Sequence, residues 1–452
     1  MAGIFRAYDI RGVYPAEINT EIVHKIGFAF AQFLGQSHIV IGRDMRDASS
    51  ALAHAFADGV LAAGVDVTDI GMVTTPMLYY AIIDGRFGGG AMVTASHLPA
   101  RYNGIKLCRE KAIPLSGDDG LPEVESAVQR IASVPTLQTG HYDELSFLDR
   151  YVDRMVAFVK YLEPLKIVVD AGNGMGGLDA PVLLARFPNY ELVPMYMNPD
   201  GSFPHHVPNP ALEETTRDLQ ARVIAEGADL GVAFDGDGDR CAFVDERGER
   251  IPADLAMAIL AELFLRETPE GTILYDLRAS QVVPEYIREL GGRPVKTRVG
   301  HSFIKERMRK EDAVFAGELA GHYYYRDLGY TDSGIRTMIA MLNLLGIKGV
   351  PASQLVRPLQ KYVRTDEINV AVQDTSKLFR ELQDVYSDGE QEHLDGLTVT
   401  YAHWWFNLRQ SHTEPVVRLV IEAEDEIVLQ DEKARLLAIV QHYENGGRDV
   451  LP

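Results

Sequence analysis

Three short apolar runs that each end in aspartate constrain the fold of this chain more than any other feature. They occupy residues 39–44, 166–170 and 272–276, and each is followed by a turn and a helix pattern, at 51–63, 182–187 and 282–290 respectively. This alternation is typical of parallel β-sheets whose strands are joined by crossover helices. The intervals between the three aspartates are unequal and far too long for a solenoid repeat. The runs therefore predict three related α/β domains with mixed sheets, each built on a βαβ core.

The last part of the chain shows a different pattern. Short strand-like runs follow residue 363, at 368–372, 397–401, 404–408 and 416–423, and a helix pattern closes the segment at 433–443. This predicts a smaller C-terminal α+β domain. With 452 residues, the chain is also too long for a single hydrophobic core. We place the four domains at residues 1–150, 151–250, 251–365 and 366–452.

The charge balance restricts the possible partners. The chain has 44 Lys and Arg against 65 Asp and Glu, a formal net charge of −21. Such a surface argues against binding to nucleic acid or to an anionic membrane, although a local basic cleft can still hold an anionic substrate. Cys108 and Cys241 lie in unrelated segments, as is typical of a reducing cytosol. The sequence shows no signal-peptide pattern and no apolar run of about 18 residues, so we expect a cytoplasmic protein that does not span a membrane.

The strongest single motif is the acidic loop at residues 235–240. Asp235, Asp237 and Asp239 alternate with glycines, so the backbone can curl until all three carboxylates face one hard cation such as Mg²⁺. A Ca²⁺ loop of the EF-hand type is the rival interpretation, and Glu246 even falls at its twelfth position. However, Arg240 stands where that loop needs glycine, and the flanks read as strands. An acidic turn without a ligand is the structural alternative.

A second loop joins a serine to a histidine. Ser96 and His97 follow an apolar run and precede Pro99, Gly104 and Lys106. This arrangement suggests a serine hydroxyl that is available to react with a substrate. Such pairs are common, and a bare Ser-His pair belongs more often to a plain loop.

Two further loops carry polar groups suited to a phosphorylated sugar. Glu318 and His322, four residues apart with small residues between them, are placed to bind adjacent hydroxyl groups, although a tight turn is the commoner explanation. Arg409, Ser411 and Thr413 alternate in an extended segment and suit a phosphate dianion. Two other sites have structural interpretations: His301 as a loop histidine, and the pair His205 and His206 in a proline-rich loop without a third metal ligand.

Together, these four loops resemble those of the α-D-phosphohexomutases, in particular the phosphomannomutase/phosphoglucomutase group. The resemblance covers essentially the whole chain, with one motif loop per domain in the family's order. It implies four domains around a central cleft, with Ser96 carried as phosphoserine beside His97. It also implies that Ser96 joins Asp235, Asp237 and Asp239 in binding Mg²⁺.

The resemblance extends to other residues of the site. Tyr8 and Arg11 match the N-terminal motif, Lys106 the lysine after the serine loop, Arg240 the arginine after the acidic loop, and His301 a third-domain Gly-His. It implies that Glu318 and His322 bind the sugar. It also implies that five further residues bind phosphate or another part of the substrate: Arg278, Arg409, Ser411, His412 and Thr413.

Four positions bear on the substrate. Ala320 stands where the sugar loop usually has serine, which removes one hydrogen bond to a sugar hydroxyl. His412 replaces a frequent asparagine, and Arg278 occupies a position where relatives often have lysine. Leu319 replaces the glutamine of the phosphoglucosamine branch and argues against that branch.

The resemblance implies an isomerase that transfers a phosphoryl group within a hexose phosphate. Phosphoserine 96 would convert a mannose or glucose 1- or 6-phosphate into a hexose 1,6-bisphosphate, which also serves as activator. Arg11 and Arg240 would add positive charge, and Lys106 or His301 would move the hydroxyl proton. We expect small hexose phosphates as partners, a monomer or homodimer, and a fourth domain that hinges inward. A mutase for another sugar phosphate, such as glucosamine phosphate, and a phosphoserine-dependent phosphatase remain alternatives.

Overall fold

Four β-sheets follow one another along the chain in a computed structural model that describes residues 3–134, 139–411 and 416–444. The first three sheets are mixed, with parallel strands at their centres, and the fourth is antiparallel. This confirms the predicted fold class of three mixed-sheet α/β domains and a smaller C-terminal domain.

The first domain places the serine loop at the end of a central strand. Its strands are β1 (Ile10–Val13), β2 (His38–Arg43), β3 (Asp66–Met72), β4 (Gly89–Val93), β5 (Tyr102–Arg109) and β6 (Tyr142–Glu144). Its helices are α1 (Thr20–Leu34), α2 (Ser49–Ala62), α3 (Thr75–Asp84) and α4 (Leu121–Arg130). The strand order is β1-β5-β4-β2-β3-β6. Lys106 therefore lies within β5, beside the strand that delivers Ser96.

The second domain carries the acidic loop between two antiparallel strands. It comprises α5 (Leu148–Val156), β7 (Leu165–Asp170), α6 (Gly176–Leu184), β8 (Tyr190–Met195), α7 (Arg217–Glu226), β9 (Leu230–Phe234), β10 (Cys241–Asp245) and β11 (Arg250–Ile251). The strand order is β11-β10-β9-β7-β8. The helix expected at 182–187 begins earlier, at Gly176, because the glycine-rich segment before it forms the first helical turn rather than a longer loop. Strands on both sides of the acidic loop agree with the rejection of an EF-hand.

The third domain contributes the sugar loop. It comprises α8 (Ala253–Glu267), β12 (Thr272–Asp276), α9 (Val282–Glu289), β13 (Arg293–Thr297), α10 (His301–Glu311), β14 (Phe315–Gly317), β15 (Tyr323–Tyr325), β16 (Thr331–Asp332), α11 (Gly334–Lys348) and α12 (Ala352–Val356). The strand order is β13-β12-β14-β15-β16. The interpretation of His301 as a loop residue was wrong, because this histidine is the first residue of α10.

The fourth domain is an antiparallel sheet covered by two helices. It comprises β17 (Val363–Arg364), β18 (Ile368–Val370), α13 (Thr375–Val385), β19 (Glu390–Glu392), β20 (Leu397–Thr400), β21 (Trp404–Gln410), β22 (Val417–Ala423) and α14 (Glu426–His442). Helix α14 starts seven residues before the expected helix, because Asp425 caps it by accepting hydrogen bonds from the backbone N–H groups of Ile427 and Val428.

The hydrophobic cores divide the molecule unevenly. One continuous core joins residues of the first three domains, for example Tyr79, Phe234 and Met338, whereas the fourth domain has a separate core. Polar pairs connect the third and fourth domains, such as Lys296 Nζ to Glu392 Oε2 at 2.6 Å. The third and fourth domains are thus joined by ion pairs, whereas the first three domains share one apolar core.

No single helix among the described residues is long and apolar enough to cross a membrane. Helix α11 and residues 352–359 meet the length and composition requirement only as a pair bent by 87°.

Candidate active site

The motif loops of all four domains meet at one cleft of about 490 Å³. The sequence-predicted residues that line it are Tyr8, Arg11, His97, Arg240, Arg278, His301, Glu318, His322, Arg409 and Ser411. Ser96, Lys106 and the three aspartates of the acidic loop are buried around these lining residues. His412 and Thr413 lie outside the described residues. The structure thus brings together side chains that are separated by up to 400 residues of sequence.

Ser96 is fixed in a backbone conformation that only a constrained loop sustains. Its φ of 50° lies in the left-handed region, which costs a non-glycine residue about 1–2 kcal/mol. Its backbone N–H donates to Thr94 Oγ1 at 2.9 Å, and its hydroxyl donates to Asp235 Oδ2 at 2.8 Å. The ring nitrogen Nδ1 of His97 lies 3.1 Å from the same hydroxyl. The serine oxygen is therefore already held against the acidic loop.

The serine loop is supported by Arg46, which sequence reasoning missed. This buried guanidinium donates to the backbone carbonyls of Ser96 at 2.9 Å and Leu98 at 2.5 Å. It also donates to those of Pro99 at 2.9 Å and Tyr102 at 3.1 Å. Asp44, which ends the first aspartate-terminated run, pairs with Arg46 Nε at 3.1 Å. The sequence around Arg46 gives no sign of this contact, because the arginine meets the serine loop only in the folded chain, 50 or more residues further on.

The acidic loop approaches the serine loop closely because of its glycines. A Cβ atom on Gly236 would lie only 2.4 Å from the backbone oxygen of Ser96, and Gly238 has a φ of 75°. Glycine is required for both the close contact and the left-handed turn. The loop therefore presents three carboxylates to Ser96 without a side chain between them.

The carboxylates of Asp235, Asp237 and Asp239 form a buried cluster with ligand oxygens within 4.8 Å of one another. Burial, and then repulsion from Asp239 and Asp237, raises the pKa of Asp235 well above its usual value. Burial also opposes ionisation of Asp237, but the nearby Lys106 ammonium outweighs it and lowers that pKa. Asp237 Oδ1 and Asp239 Oδ1 are buried without a hydrogen-bond partner among the described residues. Such oxygens, in an all-carboxylate set, suit a hard cation such as Mg²⁺.

Lys106 neutralises part of this cluster. Its ammonium lies 2.6 Å from Asp237 Oδ2 and 2.5 Å from Asp239 Oδ2, and Thr75 Oγ1 donates to Asp237 Oδ2 at 2.6 Å. Burial disfavours the charged ammonium, but Asp237 and Asp239 outweigh it and raise the pKa of Lys106. The residue is thus a cation held by two aspartates.

Arg240 and His322 are linked in a chain that starts at a buried ion pair. Lys305 Nζ lies 2.8 Å from Asp332 Oδ1, and His322 Nδ1 lies 2.9 Å from Asp332 Oδ2. Arg240 Nε donates to His322 Nε2 at 3.0 Å, so that nitrogen accepts and Nδ1 carries the proton. Lys305 and Asp332 were not predicted, because an isolated lysine and aspartate show no pattern until the fold buries them together.

His301 and Tyr8 form the wall beside this chain. Their ring centroids lie 5.7 Å apart, and Tyr8 Oη donates to the backbone oxygen of Val299 at 3.2 Å. Burial, and then the charge of Lys305, lowers the pKa of His301 well below its usual value. Both ring nitrogens of His301 are buried without a hydrogen-bond partner among the described residues. Burial and the nearby lysine thus favour the neutral imidazole of His301, which lines the cleft.

Arg11 adds a further guanidinium to the cleft, and Asp9 holds it in place at 2.7 Å. On the opposite wall, Glu318 Oε2 accepts a hydrogen bond from Tyr324 Oη at 2.9 Å. Ala320 also lines the cleft, with a methyl group where a serine hydroxyl would donate.

The far end of the cleft contains an arginine cluster, which we define as Arg278, Arg409 and Arg418. The three guanidiniums approach a single carboxylate, that of Glu367, at 3.0–3.1 Å. Arg278 is also paired with Asp276, and its Nη2 lies 3.8 Å from Glu318 Oε1. Ser411 is buried nearby. Three arginines at one end of a cleft suit a phosphate group. Arg418 and Glu367 were not predicted.

The pair His205 and His206 lies outside the cleft lining. His206 Nε2 is 3.1 Å from Asp170 Oδ2, and His205 Nδ1 is 2.7 Å from Asn173 Oδ1. These contacts tie the proline-rich loop to the end of β7, in agreement with the structural interpretation of both histidines.

Models of the phosphoglucomutase/phosphomannomutase family match this chain in four successive parts: alpha/beta/alpha domains I, II and III at residues 2–134, 149–248 and 252–362, and the C-terminal domain at 367–439. The phosphomannomutase of Escherichia coli strain K12 is 40% identical over 444 residues, covering 96% of this chain and 97% of that protein.

Two further relatives agree with this result. The phosphohexose mutases of Xanthomonas campestris pv. campestris strain B100 are 39% identical over 442 residues, covering 95% of this chain and 97% of the relative. A crystal structure of a phosphoglucomutase/phosphomannomutase family protein from Burkholderia thailandensis superposes with a TM-score of 0.89 at 36% identity, covering 97% of each chain.

Proposed function

We propose that this chain, which belongs to the phosphoglucomutase/phosphomannomutase family and is a phosphohexomutase of the isomerase class, interconverts the 1- and 6-phosphates of mannose, glucose or both. The reaction proceeds through phosphoserine at Ser96 and a hexose 1,6-bisphosphate. The observation that carries the proposal is the position of the Ser96 hydroxyl, 2.8 Å from Asp235 and 3.1 Å from His97, which lines the same cleft as the arginine cluster.

In the first step, the bond between Ser96 Oγ and phosphorus breaks as the free hydroxyl oxygen of the sugar phosphate bonds to phosphorus. That hydroxyl gives up its proton, and Ser96 Oγ takes one up to become a hydroxyl. His301 is a better proton acceptor than Lys106, because its surroundings favour the neutral imidazole and its ring nitrogens have no hydrogen-bond partner among the described residues. Lys106 is instead held as a cation by two aspartates.

In the second step, the bisphosphate turns end for end. Ser96 Oγ then gives up its proton and bonds to the other phosphorus, whose bond to the sugar oxygen breaks, and that oxygen takes up a proton to give the isomeric monophosphate. Arg11 and Arg240 contribute positive charge beside the transferring group. The non-reacting phosphate binds at the opposite end, to the arginine cluster together with Ser411 and the undescribed His412 and Thr413. Tyr8, Glu318 and His322 contact the sugar.

The three aspartates fit Mg²⁺, since they offer buried carboxylate oxygens that lack partners among the described residues. When bound there with an oxygen of residue 96, the ion would neutralise charge on the transferring phosphoryl group.

Phosphorus NMR tests the proposal directly. The protein, with Mg²⁺ and a trace of glucose 1,6-bisphosphate as activator, is supplied in turn with the 1-phosphates of glucose, mannose and glucosamine. We expect the first two to be converted into 6-phosphates, and Ser96→Ala to lower turnover by at least about 10³-fold. Release of inorganic phosphate would indicate a phosphatase, conversion of the glucosamine compound alone would indicate the other mutase branch, and full turnover by Ser96→Ala would disprove the phosphoserine scheme.

A further inference from the structure

Glu367 lies at an unusual place for a carboxylate, among the guanidiniums that the proposed function assigns to a phosphate. It stands in the short link between β17 and β18, and its side chain is 22% exposed. Oε1 lies 3.0 Å from Arg418 Nη1, while Oε2 lies 3.1 Å from both Arg409 Nη2 and Arg278 Nη1. One carboxylate therefore bridges three arginines with both of its oxygens.

The electrostatic setting keeps this carboxylate ionised. Burial disfavours the charge, but Arg278 and Arg409 outweigh burial and lower the pKa of Glu367 to about 2. Carboxylate and phosphate oxygens accept the same forked N–H groups from arginine, so the two anions compete for one set of donors.

The arginines differ in how much they depend on Glu367. Arg278 has its own partner, because Asp276 accepts from both Nε and Nη2. Arg409 Nη2 donates to Glu367, whereas Arg409 Nε is buried without a hydrogen-bond partner among the described residues. A buried donor of this kind indicates room for an acceptor beyond the one that Glu367 supplies.

We propose that Glu367 is an internal counter-anion of the phosphate end, so that the non-reacting phosphate binds by displacing the carboxylate from Arg409 and Arg418. This inference rests on the proposed function, since it deepens the role of the same cleft. Glu367 thereby weakens phosphate binding and keeps the cluster neutralised between turnovers. Because Arg278 belongs to the third domain and the other two arginines to the fourth, the same carboxylate also bridges the two domains.

The sign of the mutational effect separates this role from a structural one. If Glu367 only positions the arginines, its removal weakens anion binding, as the loss of any supporting residue does. If it competes with phosphate, its removal strengthens anion binding. Glu367→Gln keeps the shape and removes the charge.

The experiment is titration calorimetry of the full-length protein with inorganic phosphate, which requires no turnover. We expect Glu367→Gln to bind phosphate about tenfold more tightly than the wild type, and Arg409→Ala to bind it at least about tenfold more weakly. Glu392→Gln is the matched control: it removes a carboxylate that pairs with Lys296 at 2.6 Å across the same two domains but does not touch the arginine cluster. Its affinity should equal that of the wild type.

The outcomes distinguish the two levels of the proposal. Weaker or unchanged phosphate binding by a folded Glu367→Gln, together with weakened binding by Arg409→Ala, would overturn the counter-anion role and leave the phosphate end intact. If Arg409→Ala binds phosphate as tightly as the wild type, the arginine cluster does not bind the non-reacting phosphate, and that part of the proposed function is wrong. Equal tightening by Glu392→Gln would show a general effect of net charge and would also overturn the role of Glu367.

Discussion

Two charged clusters of opposite sign lie in the cleft, and each already contains a counter-charge of its own. In the acidic cluster, three aspartates are paired with Lys106, whereas in the arginine cluster, three guanidiniums surround Glu367. Both arrangements avoid leaving like charges buried together, which would destabilise the fold. The anion proposed for the arginine cluster therefore competes with Glu367, whereas a cation at the acidic cluster would find Asp237 Oδ1 and Asp239 Oδ1 without hydrogen-bond partners among the described residues.

The two clusters differ in how they are built. The three carboxylates come from five consecutive residues and are fully buried, while the arginine cluster draws on two domains with separate cores. The geometry of the acidic cluster is therefore set within one loop of one domain. The geometry of the arginine cluster depends on how the third and fourth domains pack against each other.

Among the variants that test this comparison of the two clusters, Lys106→Met is expected to have the largest effect on stability. The side chain is 7% exposed, and its loss leaves two buried carboxylates without their cation. We expect the free energy of unfolding to fall by about 3 kcal/mol without Mg²⁺, and part of that loss to be recovered when Mg²⁺ is added. Denaturant unfolding with and without the ion measures both quantities.

The control for this substitution is Lys166→Met, which breaks ion pairs with the more exposed Glu191 and Glu226. It should leave stability and its response to Mg²⁺ unchanged. If Lys106→Met is as stable as the wild type without Mg²⁺, the acidic cluster does not need its internal cation and the comparison fails.

A smaller effect on stability is expected from Asp179→Asn. Asp179 is a buried acid that, unlike the acidic cluster, forms no ion pair with a cation among the described residues. Thr74 Oγ1 donates to this carboxylate at 3.4 Å, and burial raises the pKa of Asp179 from 3.8 to about 7. Because the folded pKa lies above the unfolded one, its contribution to stability is present below pH 4 and is lost as the pH rises to about 7.

Asp179→Asn removes this loss, so we expect the variant to be more stable than the wild type by about 2 kcal/mol at pH 8 and equally stable at pH 4. Thermal or denaturant unfolding across this pH range gives the difference. Asp149→Asn, on the exposed face of α5, should show no such pH dependence. If the stabilities of the wild type and Asp179→Asn change in parallel with pH, ionisation of Asp179 does not destabilise the folded protein.

The smallest effect is expected from Arg278→Lys in the arginine cluster. A lysine keeps the charge but loses the fork that contacts Asp276 and Glu367. We expect KM for a hexose 1-phosphate to rise about threefold with little change in kcat, which steady-state kinetics measures. The exposed Arg288→Lys is the matched control. A large fall in kcat with unchanged KM would place Arg278 at the reacting phosphate and contradict its assignment to the distal one.

Features that depend on local sequence were predictable. Alternating aspartates and glycines place the carboxylates of Asp235, Asp237 and Asp239 together whatever surrounds them, because a tight turn brings alternate side chains to one side. The aspartate-terminated runs predicted the mixed α/β sheets for the same reason, since strand and helix periodicity are properties of consecutive residues. Helix starts were less certain, as α6 and α14 show, because capping by residues such as Asp425 decides them.

Features that join distant segments were decided only by the tertiary structure. Arg46 beneath the serine loop, the chain from Lys305 through Asp332 to His322, and Glu367 within the arginine cluster carry no periodic or spaced signal. Each is an ion pair or hydrogen bond between residues far apart in sequence, formed because burial makes an unpaired charge costly. The sequence by itself determined which loops hold the chemistry, and the packing of four domains determined which side chains neutralise, orient and compete within them.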